Sequence, residues 1–254
     1  TRRSSDLNEL EICIFLHWII FYYNTRCIIM YENMKDHIFD KSVVCPVCDN
    51  HFKTKAVKTK SPRIQSKDSD FFIRYTVANP YFYDVWICNS CGYAAMKSDF
   101  ENLRSYRQEL VRSNVTPKWK PREYPIILDE NIAIERYKLA LLNAVLIKMP
   151  SSTKAMISLK ISWMYRMLDD SEHEKVFLGQ ALEGLNDAYI SEPFPIYGLQ
   201  RDSLMYLIGD LNRRVGNDEE ALRWYSRTII STNATYRVKE LARNGKELIK
   251  SKNN

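Results

Sequence analysis

The stretch "YDVWICNSCGYAAMKSD" (residues 83–99) decides how this chain is predicted to fold. Bulky side chains alternate before Cys88, which predicts a strand with Val85 and Ile87 on one face and Trp86 on the other. The strand runs directly into a C-x-x-C pair that ends at Cys91. Thiols in this position are typical of a metal-binding turn, a redox pair or a catalytic nucleophile.

A second C-x-x-C pair lies in "CPVCDNHF" (residues 45–52), and 39 residues separate the two pairs. Each pair can place two sulfurs on a tight turn whose backbone N–H groups point at them. Two such turns facing each other form a tetrahedral four-sulfur site that suits Zn²⁺. Gly92 after the second pair, and Asp49 and Asn50 after the first, tolerate the positive φ of such turns. We therefore predict one structural zinc ion, whose ligands are Cys45, Cys48, Cys88 and Cys91.

Other chemistry is possible for the same cysteines. A thiol redox protein would use Cys45 and Cys48, but a thioredoxin-like pair needs a following helix, and "HFKTKAV" alternates like a strand. Two disulfides would need an oxidising compartment, and no export signal is recognised. Because four protein thiolates leave no open coordination position, we expect a non-enzymatic, cytoplasmic protein with no catalytic residues and no cofactor other than the metal.

Composition and motifs exclude several enzyme classes. The chain has seven glycines and four histidines, and it lacks the G-x-G-x-x-G, G-x-x-x-x-G-K-[ST], H-E-x-x-H and G-x-S-x-G patterns. With 45% hydrophobic and 27% charged residues, its composition fits a globular protein with a substantial core.

The first 33 residues differ from the rest. "EICIFLHWIIFYYNTRCIIMY" (residues 11–31) is rich in Ile, Phe and Tyr, but its longest uncharged run is shorter than the about 20 residues that span a membrane. A membrane anchor and a buried helix are the alternatives to our expectation. We expect residues 1–33 to be spurious, AT-rich DNA read as protein, or a disordered extension, with no membrane association in that case. Cys13 and Cys27 are therefore set aside.

From about residue 34 onward the chain resembles a bacterial family, domain-of-unknown-function family 2225. The likeness rests on "CPVCDNHFKTKAV", "KDSDFFIRY" and above all "NPYFYDVWICNSCGYAA", with a further similar stretch, "YLIGDLNRRVGNDEEALRWYSRTI". The resemblance implies a zinc ribbon followed by tetratricopeptide-like helices, and it carries no activity over to this chain.

The second half of the chain is predicted to be helical. Ser98 and Glu101 form a capping box, which predicts a helix start at Ser98 and a helix that packs on the ribbon. Three prolines within residues 117–125 then predict a linker or an extended clasp. Ser171 and Glu174 form a second capping box. Apolar periodicity predicts helices at 130–148, 153–168, 172–189, 196–214, 218–231 and 235–250.

The clearest repeat-like segment covers residues 205–228. Gly209 is predicted to lie where two helices approach closely, and Gly216 in the turn between them. Ala221 and Tyr225 match the packed positions of a tetratricopeptide repeat, whereas two other positions depart from it. An ordinary helical bundle is the alternative.

These observations predict an α+β, predominantly α, protein in which a small four-cysteine zinc-ribbon β module precedes a tetratricopeptide-like helical array. The predicted boundaries are residues 34–98 for the ribbon, 99–128 for a bridging helix and proline-rich linker, and 129–254 for the helical domain. Arrays of helix pairs form concave surfaces that hold peptides or partner helices. The favoured function is therefore that of an adaptor or scaffold whose array binds another protein.

Nucleic-acid binding is the alternative that the charge distribution favours. The chain carries a net charge of +6, and its basic loop 53–67 contains Lys53, Lys55, Lys58, Lys60, Arg63 and Lys67. Phe71, Phe72 and Tyr75 would be available to stack on bases. The two aspartates of "DSDFF" (residues 68–72) oppose this interpretation, because they add negative charge beside the loop.

Overall fold

A computed structural model describes residues 34–253, and within this part of the chain six short strands precede the long helices. All strand pairs are antiparallel and consecutive along the chain. They are β1 (Ile38–Val44) with β2 (His51–Val57), β3 (Ile64–Lys67) with β4 (Ile73–Tyr75), and β5 (Val85–Ile87) with β6 (Ala94–Met96). The predictions for residues 1–33, including those for Cys13 and Cys27, lie outside the described residues.

The helices fill most of the second half of the chain. They are α1 (Ser105–Asn114), α2 (Glu130–Leu146), α3 (Ser151–Met167), α4 (Ser171–Ser191), α5 (Arg201–Val215), α6 (Asp218–Ile230) and α7 (Tyr236–Asn253). The predicted α+β, predominantly α class is confirmed. Between residues 34 and 253, no helix combines the length and the apolar character needed to cross a membrane.

The observed helix boundaries agree with those predicted from apolar periodicity, except at the start of one helix. Five of the six predicted helices match to within three residues at each end. The prediction for 196–214 was wrong at its start, because α5 begins at Arg201. Ile196 and Leu199 instead bridge across a turn in which Tyr197 and Gly198 have positive φ, a conformation that a right-handed helix excludes.

The two predicted capping boxes were also wrong. α1 begins at Ser105, because Phe100 is fully buried against Trp86 and Tyr93 and holds residues 98–104 in a non-helical path. α4 is capped by Asp170, whose carboxylate accepts a hydrogen bond from the backbone N–H of His173. An aspartate one residue earlier therefore takes the capping role that was assigned to Ser171.

The helix pair α5–α6 packs at the positions that the repeat pattern singled out. A Cβ at Gly209 would lie 3.0 Å from Tyr225 Cδ1, so the two helices approach closely there. Gly216 ends α5 in the left-handed conformation, with φ of +95°. Ala221 and Tyr225 are fully buried.

One hydrophobic core joins the strands to the helices. Phe72, Val85 and Met96 from the β module belong to the same buried cluster as the inward faces of α2 to α5. Phe72 stacks on Trp163 of α3 with the ring centroids 5.2 Å apart. The segment between the two cysteine pairs therefore does more than connect them, because its β3–β4 hairpin inserts an aromatic side chain between the helices.

Candidate metal centre

The first cysteine pair lies on the turn that joins β1 to β2. Cys45 N–H donates to Asn50 O at 3.0 Å, and Asp49 N–H donates to Cys45 O at 3.0 Å. Asp49 adopts a φ of +54°, which confirms that this turn needs a residue tolerant of the left-handed region. The local sequence thus turns the chain tightly enough to aim both thiols the same way.

The second pair lies on the turn between β5 and β6 and repeats this geometry. Cys88 N–H donates to Tyr93 O at 2.8 Å, and Gly92 N–H donates to Cys88 O at 2.8 Å. Gly92 has the predicted positive φ, of +80°. A Cβ on it would lie 2.6 Å from Trp119 Cγ, so this position excludes a side chain for a second reason.

The two turns face each other and bring four sulfurs together. Cys45 Sγ lies 3.6 Å from Cys91 Sγ, and Cys48 Sγ lies 3.6 Å from Cys88 Sγ. All four sulfurs lie within 4.8 Å of one another. A tetrahedral ion with metal–sulfur bonds of about 2.3 Å would separate its sulfurs by about 3.8 Å, so the spacing fits a four-thiolate metal site. It is much longer than the about 2.05 Å of a disulfide.

Hydrogen bonds among the thiols determine their protonation. The pKa of Cys88 is held well below its ordinary value by hydrogen bonds from Cys45 and Cys91, and the backbone N–H groups of Cys91 and Ser90 add to this effect. The pKa of Cys45 is raised to about 12, mainly by its hydrogen bond with Cys88, and that of Cys91 is raised by its hydrogen bonds with Cys45 and Cys88. A metal ion that bound here would therefore have to displace protons from this cluster.

The surrounding helices and the proline-rich segment hold the two turns in place. Arg112 of α1 donates to Val47 O at 2.6 Å, and Thr116 donates to Cys91 O at 3.0 Å. Val111 of α1 is fully buried in the cluster that contains the cysteines, so the prediction that this helix packs on the ribbon is confirmed. Residues 119–122 lie against the second turn, because Trp119 and Arg122 both donate to Asn89. Residues 116–118 form a short 3-10 helix, so this part of the predicted clasp is not extended.

Sequence reasoning missed a buried ionic cluster beside the β3–β4 hairpin. Arg166 of α3 donates to Asp68 at 2.9 Å and to Asp70 at 2.7 Å, and Asp70 is fully buried. Burial alone would lower the pKa of Arg166, but hydrogen bonds and attraction from Asp70 and Glu174 raise it above its ordinary value. The signal in the sequence was "KDSDFF", an acidic pair beside two aromatic residues, which we assigned to a loop.

A second part of this cluster lies on α5. Asp210 is fully buried and accepts hydrogen bonds from Ser69, Arg213 and Arg214 at 2.8 to 3.0 Å. Burial would raise the pKa of Asp210, but the two arginines lower it. The hairpin is thus joined to α3 and α5 by charges that are largely removed from water.

The aromatic residues proposed for base stacking do not form a free surface. Phe72 is fully buried, so its assignment to base stacking was wrong. Phe71 packs on Tyr206 and Tyr75 packs edge-on against Tyr81, both as partly buried side chains. The prediction that residues 53–67 form one loop was also wrong, because Lys53 and Lys55 lie on β2 and Lys67 ends β3. The basic residues of this segment therefore lack the aromatic partners that the nucleic-acid hypothesis gave them.

The family comparison agrees with the motifs on which the resemblance was based. A family model described as "Uncharacterized protein conserved in bacteria (DUF2225)" matches residues 38–249. This range includes both cysteine pairs and the helices up to most of α7. No curated protein and no solved structure is significantly similar to the chain.

Proposed function

We propose that this chain, which belongs to the DUF2225 family of bacterial proteins, is a zinc-ribbon adaptor whose helical array binds a protein partner. The observation that carries the metal part is the set of four sulfurs within 4.8 Å of one another. Four thiolates in tetrahedral spacing suit zinc, and a site closed by protein ligands has a structural role. The protein is therefore proposed to be non-enzymatic and to reside in the reducing cytoplasm, where its thiols persist.

Metal content tests the zinc assignment. We expect about one zinc per chain by elemental analysis, lost together with the fold of the ribbon when Cys45, Cys48, Cys88 and Cys91 are all replaced by serine. Ser90→Ala is the matched control, because it changes the second turn and keeps every thiol. If iron is found in place of zinc, the zinc assignment is wrong and the site binds iron. Metal-free protein with fast-reacting thiols would favour the redox alternative.

A groove beside α7 is the proposed contact for the partner. A cavity of about 470 Å³ lies between the β3–β4 hairpin and α7, and Phe71, Leu241 and Leu248 form its apolar wall. Lys67 and Arg237 line it as exposed cations without an ion-pair partner among the described residues, whereas its two carboxylates, Asp68 and Asp210, are already paired with arginines. An apolar wall with a basic rim suits a peptide that combines an apolar side chain with acidic residues. The packing of α5 on α6, and of α7 on both, supports this use of the array.

Site-specific crosslinking followed by affinity measurement tests the groove. A photo-crosslinking residue at position 248 should capture a partner that the same residue at Ile230, also exposed but outside the groove, does not. With the identified partner purified, Arg237→Glu should weaken binding about tenfold or more. Arg243→Glu, which makes the same charge change on α7 outside the groove, should have little effect. Equal losses in the two variants would contradict the assignment.

A further inference from the structure

A second cavity, which shares no lining residue with the groove, is surrounded by positive charge. It has a volume of about 220 Å³ and lies between β2, the turn that carries Asn89, the segment 122–125 and Arg136 of α2. Four cationic side chains line it: Lys53, Lys55, Arg122 and Arg136. They come from three separate parts of the chain, so only the fold brings them together.

Arg136 is the unusual member of this set. It is only 6% exposed, and no carboxylate lies within salt-bridge distance of it among residues 34–253. One of its terminal nitrogens donates to Val85 O, while its Nε has no hydrogen-bond partner in the described part of the chain. Burial also lowers the pKa of Arg136, because removal from water disfavours the charged guanidinium. A buried guanidinium without a counter-ion is costly, which indicates that an anion from outside the chain completes its surroundings.

The other cations are only partly neutralised. Arg122 pairs with Glu135, and Lys55 pairs with Asp40 at 2.6 Å. Lys53 is exposed and has no ion-pair partner among the described residues. Four positive charges therefore face two carboxylates, and both of these acids are already engaged at exposed positions. The surplus of about two charges matches a dianion.

We propose that this cavity binds the phosphate group of a phosphorylated ligand, with Arg136 at its floor and Lys53 and Arg122 at its mouth. Guanidinium groups hold phosphate oxygens through paired N–H donors, and lysine adds a mobile charge. The volume is below the about 300 to 1,000 Å³ of pockets that enclose a drug-sized ligand, so the cavity suits a phosphate and not a whole cofactor.

The surroundings indicate where the rest of such a ligand would lie. Arg122 also lines a neighbouring cavity of about 400 Å³, which contains Trp119, Lys118 and Lys120. An aromatic ring between cations is typical of surfaces that bind a base next to its phosphates. The shared chemistry is that of a nucleotide, which a free nucleoside diphosphate and a single-stranded nucleic acid both provide. Of the basic segment 53–67, only residues 53–55 line this site.

Titration of the full-length, metal-loaded protein tests the proposal. Inorganic phosphate, a nucleoside diphosphate and a short single-stranded RNA are each titrated and followed by calorimetry. We expect Lys53→Glu to weaken binding about tenfold or more. Lys60→Glu is the matched control, because Lys60 is equally exposed on the same module but does not line the cavity. Its effect should stay within about twofold.

The outcomes separate the sources of the phosphate and the possible failures. Tight binding of the nucleoside diphosphate, lost in Lys53→Glu, assigns the site to a small ligand. Binding of RNA alone, with affinity that falls steeply as salt rises, assigns it to a strand. Arg136→Met should abolish either interaction while the helical circular dichroism is retained. Equal losses in Lys53→Glu and Lys60→Glu, or no binding of any of the three probes, would overturn the proposal.

Discussion

Replacing Gly92 with alanine tests whether backbone conformation and close packing together hold the turn that carries the second cysteine pair. Gly92 has a φ of +80°, and a residue with a Cβ pays about 1–2 kcal/mol to adopt that region. The added Cβ would also lie 2.6 Å from Cγ and 2.8 Å from Cβ of Trp119. Those atoms are close to the backbone and cannot swing away, so overpacking adds about 1–3 kcal/mol. The expected destabilisation is therefore about 2–5 kcal/mol.

Gly198 provides a control with the same backbone conformation. Its φ is +79°, and no atom lies within 4 Å of the position that a Cβ would take. Gly198→Ala should therefore carry the conformational cost alone, about 1–2 kcal/mol. The difference between the two variants measures the contact with Trp119, whose ring N–H is held by Asn89 O at 2.9 Å.

Urea denaturation of metal-loaded protein, followed by far-ultraviolet circular dichroism, gives both free energies of unfolding. Metal content is measured for each variant, because loss of the ion would enlarge the effect of Gly92→Ala. Adding Trp119→Ala to Gly92→Ala should recover part of the loss, which a double-mutant cycle quantifies. If Gly92→Ala and Gly198→Ala agree within about 0.5 kcal/mol, the packing argument is refuted.

Three other predictions concern the thiols, the ionic cluster and the helix pair. Because the hydrogen bond with Cys88 raises the pKa of Cys45 to about 12, this thiol is protonated at neutral pH without metal and must lose its proton on binding. Metal affinity should therefore fall about tenfold per displaced proton for each unit of decreasing pH, as measured by chelator competition. Asp70→Asn should cost about 1.5–3 kcal/mol in denaturant unfolding, because it removes the most buried of the three carboxylates that pair with Arg166, whereas a loss below about 0.5 kcal/mol would contradict that role. Gly209→Ala should lower the melting temperature through overpacking on α6, while Gly179→Ala, in a helix with open space around it, should raise it.

The four-cysteine cluster was largely predictable because the geometry of each of its turns is local. A C-x-x-C pair closes its own tight turn, and the positive φ of Asp49 and Gly92 follows from the hydrogen bonds of that turn. The helices from α2 to α7 were predictable for a similar reason, since apolar periodicity is a property of neighbouring residues. The facing of the two turns was an inference from the number of thiols, and the fold bears it out.

Predictions failed where a distant contact overrides a local preference. Ser98 and Glu101 form a good capping pattern, yet Phe100 is fully buried beside Trp86 and Tyr93 and keeps that segment non-helical. The free energy of burying an aromatic ring exceeds the contribution of one helix cap, so packing decides the outcome.

The sequence by itself determined the four thiols, the turns that carry them, the helical second half and the family. Only the tertiary structure decided which charges meet. Asp68 and Asp70 are paired with Arg166, almost a hundred residues away, and Arg136 faces the same cavity as Lys53 and Arg122. No periodicity connects such residues, because their proximity follows from how helices and hairpin pack. Charges brought together in this way, and shielded from water, interact far more strongly than they would along an exposed chain.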